Sequence, residues 1–281
     1  MGIYTTKRLL DIALMPFREN KKIGFVPTMG ALHSGHLQLV KRALVENDGV
    51  VVSIFVNPTQ FNNAADLKKY PRTLENDVTM LSSLKGNVFI YAPDAEALYD
   101  GNVISKKYNF SGLEHEMEGK HRNGHFDGVG TVLNILFRNV EPNRAYFGEK
   151  DFQQLQIVRK LVEVEKLPVD IIGCEIVREE NGLAKSSRNK RLNEIQKKEA
   201  AVIYRSLTQV KEQFKEKSIA ELNAMVVQIF SENEYLQLEY FEIANAETLQ
   251  TAQTLENGNK YRAFIAAFAG NVRLIDNVAL N

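Results

Sequence analysis

The chain has 281 residues and is 44% hydrophobic, enough to bury a sizeable core at a length where single cores begin to split into two domains. Lys plus Arg and Asp plus Glu each number 35, so the formal charge is zero, which argues against sequence-independent attraction to nucleic acid or an anionic membrane and favours a small-molecule partner. Cys174 is the only cysteine, which excludes an intrachain disulfide and suits a reducing compartment, and no apolar stretch reads as a signal peptide or a membrane span, so a cytoplasmic location is expected.

From residue 22 to 175, short apolar runs alternate with segments of helical spacing. The runs are KIGFVP, GVVVSIFV, NVFIYAP, RAYFG and VDIIGCEIV, continuously apolar as strands covered on both faces should be. Between them lie Leu37, Val40 and Leu44; Leu74, Val78 and Leu81; Val132, Ile135 and Leu136; and Leu155, Val158 and Val162. Such βα units predict a Rossmann-like, doubly wound parallel sheet over residues 1–177. Beyond residue 178 two helical stretches follow, NEIQKKEAAVIYRSLTQVKEQF and SIAELNAMVVQIF, the second opened by Ser218 and Glu221 in capping-box register. Then come LEYFEIA and YRAFIAAFAGNVRLID, in which Gly270 and Asn271 predict an antiparallel hairpin. Residues 178–281 are expected to form a small α+β domain, placed as a lid, with the boundary near 176–182.

In an open α/β sheet, ligands sit outside the carboxyl ends of the strands, so the segments after the apolar runs are the candidates. The first is TMGALHSGH, where Gly30 and Gly35 permit close backbone approach. A helix starting near Ser34 there points unpaired amides and its positive dipole end outward, which suits an anion. His33 and His36, one turn apart, add two imidazoles as phosphate donors. Zinc ligation is the weaker reading, since no third ligand of recognisable spacing accompanies them; Ser34 capping the helix beside ordinary surface histidines is the plainer one.

The second segment, NPTQF, offers Asn57 and Gln60, neutral amides suited to hydroxyls and a carboxylate, with Gln154 able to join them; turn formation is the alternative. In the third, Gly148 to Gln154, Lys150 can neutralise a phosphate and Asp151 can cap a helix or hold a ribose or a metal. In the fourth, KSSR follows Gly182 in a stretch that reads as flexible; its hydroxyls and guanidinium suit a polyphosphate, or it is a solvated linker. No GxxxxGK[ST] sequence occurs, so a Walker-type loop is excluded.

Seven motifs in one order, VPTMGALHSGH, VSIFVNPTQF, YPRTLENDV, LEHEMEGKHRNGHFDGV, FGEKDFQQL, NGLAKSSRN and RLIDN, closely resemble the pantothenate synthetase (pantoate–β-alanine ligase) family of the HIGH-motif nucleotidyltransferases. The resemblance spans nearly the whole chain. It implies two steps: ATP and (R)-pantoate give pantoyl adenylate and pyrophosphate, then the β-alanine amine displaces AMP to give pantothenate. It assigns Met29, Gly30, Ala31, Leu32, His33, Ser34, Gly35 and His36 to the ATP loop, with His33 and His36 on the phosphates and His36 as proton donor. Gln60 and Gln154 fall at pantoate positions, Gln60 also near β-alanine. Gly148, Glu149, Lys150 and Asp151 match an ATP segment, with Lys150 near phosphate and Asp151 near the ribose, and Val177 matches an adenine-side backbone contact. Lys185, Ser186, Ser187 and Arg188 match the loop closing over the phosphates, while Glu118 and Arg122 match cavity-lining residues.

The resemblance further implies Mg²⁺ with ATP and a homodimer, and it assigns no metal ligand. Two departures stand out. Lys185 replaces a usual Met or Leu, and Asn76 with Asp77 occupies a place often held by two acids, which puts an acidic metal site there in doubt. Within the superfamily the rival is transfer of a nucleotide to a phosphate acceptor, against which Gln60 and Gln154 argue, since such an acceptor should attract Arg or Lys. A binding module without turnover is the rival of another class.

Overall fold

A computed structural model describes residues 1–61, 67–68 and 70–281. Six strands form one parallel sheet: β1 (Gly2–Tyr4), β2 (Ile23–Thr28), β3 (Gly49–Ile54), β4 (Val88–Tyr91), β5 (Arg144–Gly148) and β6 (Asp170–Cys174), in the order β1-β4-β3-β2-β5-β6. The five apolar runs are β2 to β6. β1 is an addition: three residues pairing Gly2 with Phe89 are too short to show a pattern. Helices α1 (Lys7–Arg18), α2 (Ser34–Glu46), α3 (Leu74–Ser82), α4 (Ala95–Tyr99), α5 (Glu118–His121), α6 (His125–Val140) and α7 (Phe152–Val164) connect the strands, and four of them carry the predicted helical spacing.

From β2 the chain winds outward through β3 to β4, then crosses to β5 and β6 on the other side of β2, so the order reverses between β2 and β5. A reversal of this kind opens a crevice at the carboxyl ends of the two strands. Val26, Val50, Val52, Ile90 and Tyr146 pack with Val40 and Ala43 of α2 and Leu81 of α3, all nearly solvent-free. Full burial of one such aliphatic side chain contributes about 1.5–3 kcal/mol, which fixes the helices firmly against the sheet.

The chain forms two compact units, Met1–Glu149 with Gln154–Glu175, and Lys150–Gln153 with Ile176–Asn281. In the second, β7 (Leu236–Asn245), β8 (Tyr261–Ala269) and β9 (Val272–Ala279) make an antiparallel sheet. The β8–β9 hairpin turns on Gly270 and Asn271 as the sequence predicts, with Gly270 at φ +60° between the paired Ala269 and Val272. The helical stretch expected over 193–214 is two helices, α8 (Glu194–Glu199) and α9 (Ala201–Gln213), because the backbone opens at Ala200 to ψ −16°. α10 (Ile219–Ser231) starts at the expected capping box: Glu221 N donates to Ser218 Oγ at 3.3 Å and Ser218 N to Glu221 Oε2 at 2.9 Å. Leu207, Leu222, Val226, Ile243, Ala263 and Ile265 form the core of this unit. Among the described residues, no helix is long and apolar enough to cross a membrane.

Because Ser218 satisfies an otherwise orphaned helix amide, Ser218→Ala should cost about 1 kcal/mol of stability, read as a lower urea midpoint with turnover unchanged.

Candidate active site

The histidine loop leaves β2 at Thr28, whose Oγ1 donates to Ser53 O at 2.7 Å and accepts from Gly30 N at 3.1 Å. Gly30 sits at φ +79°, and a Cβ there would stand 3.1 Å from both Asp77 Oδ2 and Ile54 Cγ2, so glycine answers a steric and a conformational need together. Ala31 follows at φ +51°, where a side chain is disfavoured. The loop is held in this shape from outside. Ala31 N donates to Asp77 Oδ2 at 3.0 Å and Leu32 N to Asp77 Oδ1 at 2.8 Å, while Thr73 Oγ1 donates to Asp77 Oδ1 at 3.2 Å.

At the start of α2, His33 is the N-cap and Ser34 is exposed, so the plainer alternative in which Ser34 caps the helix does not hold. Gly35 N donates to His33 Nδ1 at 3.1 Å, and His33 N donates to His36 Nδ1 at 3.3 Å. Two amides that would otherwise face an anion are therefore taken by the imidazoles. An Nδ1 that accepts cannot carry a proton, so in the neutral rings the proton sits on Nε2. The half-buried rings lie 4.1 Å apart, tilted by 38°.

In the next segment, Asn57 is buried at the start of a 3-10 turn over Pro58–Gln60. Its Nδ2 donates to Gln60 Oε1 and to Gly128 O, both at 3.2 Å, and its Oδ1 accepts from Tyr99 Oη at 2.6 Å and from Thr59 N at 3.3 Å. Burial raises the Tyr99 phenol above its ordinary range, keeping the hydroxyl a donor. The Gln60 oxygen is thus committed to Asn57, and its Nε2 is turned toward Met29, 2.8 Å from Sδ. His125 Nδ1 lies 2.9 Å from Gln60 O, and Arg122 Nη2 donates to the same carbonyl at 3.5 Å. A carbonyl only accepts, so Nδ1 of His125 carries a proton, the opposite of His33 and His36. Gly128 lets α6 approach: a Cβ there would come within 2.3 Å of Thr59 O.

Tyr99, His125 and Gly128 were not singled out by sequence; the last two lie inside the motif LEHEMEGKHRNGHFDGV, and Tyr99 carries no local signal. Glu118 opens α5, and Gln154 is half-buried in the first turn of α7. Gly148 ends β5 opposite Cys174, whose thiol burial pushes up while Arg42 pulls it back, so it stays an uncharged thiol and no nucleophile.

In the second unit, Lys150 Nζ stands 3.4 Å from Asp151 Oδ1, and Asn277 Nδ2 donates to Lys150 O at 2.9 Å. Arg262 donates to Asn277 Oδ1 and lies with its guanidinium 3.9 Å over the Phe152 ring. The stretch that reads as flexible is a small hairpin. Lys185 N donates to Val177 O at 2.9 Å, Glu179 N donates to Leu183 O at 2.8 Å, and Gly182 takes φ +91°. Arg178 staples it to β9, reaching Asp276 through both nitrogens at 2.5 and 3.0 Å while stacking 3.7 Å over Tyr204. Burial pushes the Asp276 carboxyl up and Arg178 pulls it back.

The half-buried Lys185 Nζ meets the exposed Glu179 Oε2 at 3.3 Å, a solvent-accessible pair of small energetic weight that gives the unusual lysine a role within the hairpin. Ser186 Oγ accepts from Arg188 N at 3.2 Å, and Asn189 Nδ2 donates to Ala184 O at 3.0 Å, so Ser186, Ser187 and Arg188 sit half-buried on a fixed turn. Asp276 and Asn277 belong to RLIDN, and between them they tie down both polar segments of this unit. Among the described residues, no group of three or more His, Cys, Asp or Glu is placed to hold a metal ion.

The sequence model of the pantoate-β-alanine ligase family matches residues 3–279. The chain belongs to that family. A pantothenate synthetase of Flavobacterium psychrophilum is 55% identical over the full length of both chains. The crystal structure of pantothenate synthetase from Thermus thermophilus superposes with a TM-score of 0.91 at 40% identity, covering 100% of this chain and 99% of that one. The pantoate-β-alanine ligase of Francisella tularensis, solved with β-γ ATP and β-alanine, gives 0.79 at 37% identity, covering 100% and 98%. The protein is accordingly a ligase that condenses pantoate with β-alanine to pantothenate.

Gly128→Ala should force α6 away from the Thr59–Gln60 turn. We expect a stability loss of about 1–3 kcal/mol, typical of overpacking, read as a lower urea midpoint; an unchanged midpoint would mean that the turn yields to the added methyl at no cost.

Proposed function

We propose that the ligase activates pantoate by adenylation. The pantoate carboxylate attacks the α-phosphorus of ATP and expels pyrophosphate; the β-alanine amine then attacks the acyl carbon, forms the amide and expels AMP. A carboxylate is a poor electrophile and AMP a good leaving group, so the burden on the protein is positioning and charge stabilisation. The observation that carries the reading is the His33–His36 pair, two imidazoles 4.1 Å apart whose Nδ1 atoms are engaged by backbone amides and whose protons therefore sit on Nε2. Rigid Nε2–H donors of this kind stabilise a phosphoryl group by hydrogen bonding as it gains charge, and in this state His36 acts as a hydrogen-bond donor that keeps its proton.

Met29 to His36, with Gly148 and Glu149, line the nucleotide in this reading. Gln60 presents an oriented N–H donor to the carboxylate and hydroxyls of pantoate, joined by Gln154, and later meets β-alanine; the Asn57 contact that fixes its polarity supports this role. Glu118 and Arg122 line the same cavity, and the Arg122 contact to Gln60 O supports that placement for Arg122. In the second unit, Lys150 neutralises a phosphate, Asp151 takes a ribose hydroxyl and the Val177 backbone meets the adenine. Lys185, Ser186, Ser187 and Arg188 supply charge and hydroxyls to phosphate oxygens. The Francisella ligase solved with β-γ ATP and β-alanine supports the same two ligands here. A phosphate acceptor is disfavoured because the Gln60 amide, oriented by neutral groups, offers no cation.

Mg²⁺ accompanies ATP in this reading. The residues fit an ion carried on the polyphosphate better than a protein cage, since both Asp77 oxygens accept from backbone amides and no three-ligand cluster occurs among the described residues. Such an ion neutralises the polyphosphate and the leaving pyrophosphate.

Pantoate labelled with ¹⁸O in its carboxylate should deliver one ¹⁸O to AMP, measured by mass spectrometry. Label appearing in inorganic phosphate with ADP would replace adenylation by an acyl phosphate. His36→Ala should slow pyrophosphate release by about 100-fold or more while the circular dichroism spectrum is retained.

A further inference from the structure

Asp77 is 1% exposed, and its carboxylate faces three neutral donors: the amides of Ala31 and Leu32 and the Thr73 hydroxyl. A carboxylate withdrawn from water is costly unless its lone pairs are filled, so these hydrogen bonds hold the two partners firmly together. What they fix is the segment directly before His33. Ala31 sits at φ +51°, a conformation that persists only when its surroundings enforce it, and Gly30 lacks the Cβ that would press on Asp77 Oδ2 at 3.1 Å. Two residues after Ala31, His33 takes extended backbone as the N-cap, and its Nδ1 and that of His36 accept backbone protons.

We propose that Asp77 is a positioning residue for the reaction: its carboxylate, 46 residues from Ala31, sets the loop geometry that makes both imidazoles cap their own helix and keeps their protons on Nε2. Its oxygens serve the loop backbone and not a metal ion. The catalytic consequence rests on the phosphate-donor reading of His33 and His36 given above, whereas the structural link from Asp77 to the ring tautomers does not.

The test is Asp77→Asn. The amide keeps the shape but turns an N–H₂ donor toward one of the two loop amides, so that hydrogen bond becomes a clash of donors. Two readouts are taken together. In steady-state assays kcat should fall by about 100-fold, the usual effect of moving catalytic groups by roughly an ångström, with KM for pantoate within about twofold of the parent because the Asn57–Gln60 network is untouched.

In ¹⁵N-histidine spectra at mildly alkaline pH, the chain's five histidines are few enough to assign. His33 and His36 should show the Nε2–H tautomer in the parent and averaged tautomers in the variant, while His125, tied through Nδ1 to Gln60 O, stays unchanged as a control for the fold. Loss of turnover with the His33 and His36 signals intact would overturn the proposal, as would native kcat in the variant. Should Asp77→Asn fail to fold, Asp77→Glu, which keeps the charge but displaces the oxygens by a methylene, must show the same paired loss; native behaviour there overturns it equally. His36→Ala with undiminished pyrophosphate release would defeat the phosphate-donor reading alone and leave the tautomer result standing.

Discussion

Parallel pairing of six strands, with the order reversing between β2 and β5, is the constraint from which the chemistry of the sheet unit follows. Parallel strands share one carboxyl edge, so the segments after β2, β3 and β5 open on the same side of the sheet. The sheet interior is mostly apolar, with Val50, Val51, Val52, Phe25 and Val26 fully buried and few polar exceptions such as Ser53 and Thr28. The candidate polar side chains then lie in the connections, and each connection needs its own means of holding polar atoms still.

That means is the same throughout: a group of fixed polarity orients one that can turn. The backbone amides of His33 and Gly35 can only donate, and they fix the protons of His36 and His33 on Nε2. The carbonyls of Gly128 and Gln60 can only accept, and they fix the Asn57 amide and the His125 proton. Orientation passes from Gly128 through Asn57 to Gln60, so a side-chain amide that is reversible in water presents one face. Dipoles held in place before substrate arrives cost no reorganisation during reaction, which is the condition under which hydrogen bonds stabilise developing charge most effectively.

The strands β2 to β6 are legible in the sequence because a sheet covered on both faces demands unbroken apolar runs, and the β8–β9 hairpin because Gly270 and Asn271 suit a two-residue turn. The histidines, amides and KSSR residues stand out in the sequence by residue type, each with a plainer alternative as helix cap, turn or linker beside the functional one. Their partners are not. Ser34 is the better N-cap by preference, yet His33 takes that place because the Asp77 contacts shape the loop before it. Tyr99 and His125 reach Asn57 and Gln60 across 42 and 65 residues, a separation that no local periodicity records. The 178–185 segment has the composition of a linker; its backbone closes a hairpin on Gly182, and the Arg178–Asp276 contact, 98 residues apart, anchors that hairpin to β9.

The same separation gives the C-terminal RLIDN motif its meaning. A buried ion pair is weak evidence for stability, because desolvation offsets much of the attraction and well-packed apolar residues often serve as well. Arg178 and Asp276 do more than attract: two nitrogens meet two oxygens, the guanidinium stacks on Tyr204, and Nη1 also donates to Gly182 O, so the pair fixes the hairpin in one orientation. The next residue of the strand, Asn277, receives Arg262 and holds the Lys150 carbonyl. Two adjacent positions on β9 therefore register two segments of this unit, the one that carries Lys150 and the one that carries Lys185 and Arg188. An apolar replacement would keep the core filled and lose that registration, so the charge here serves orientation where packing alone does not require it.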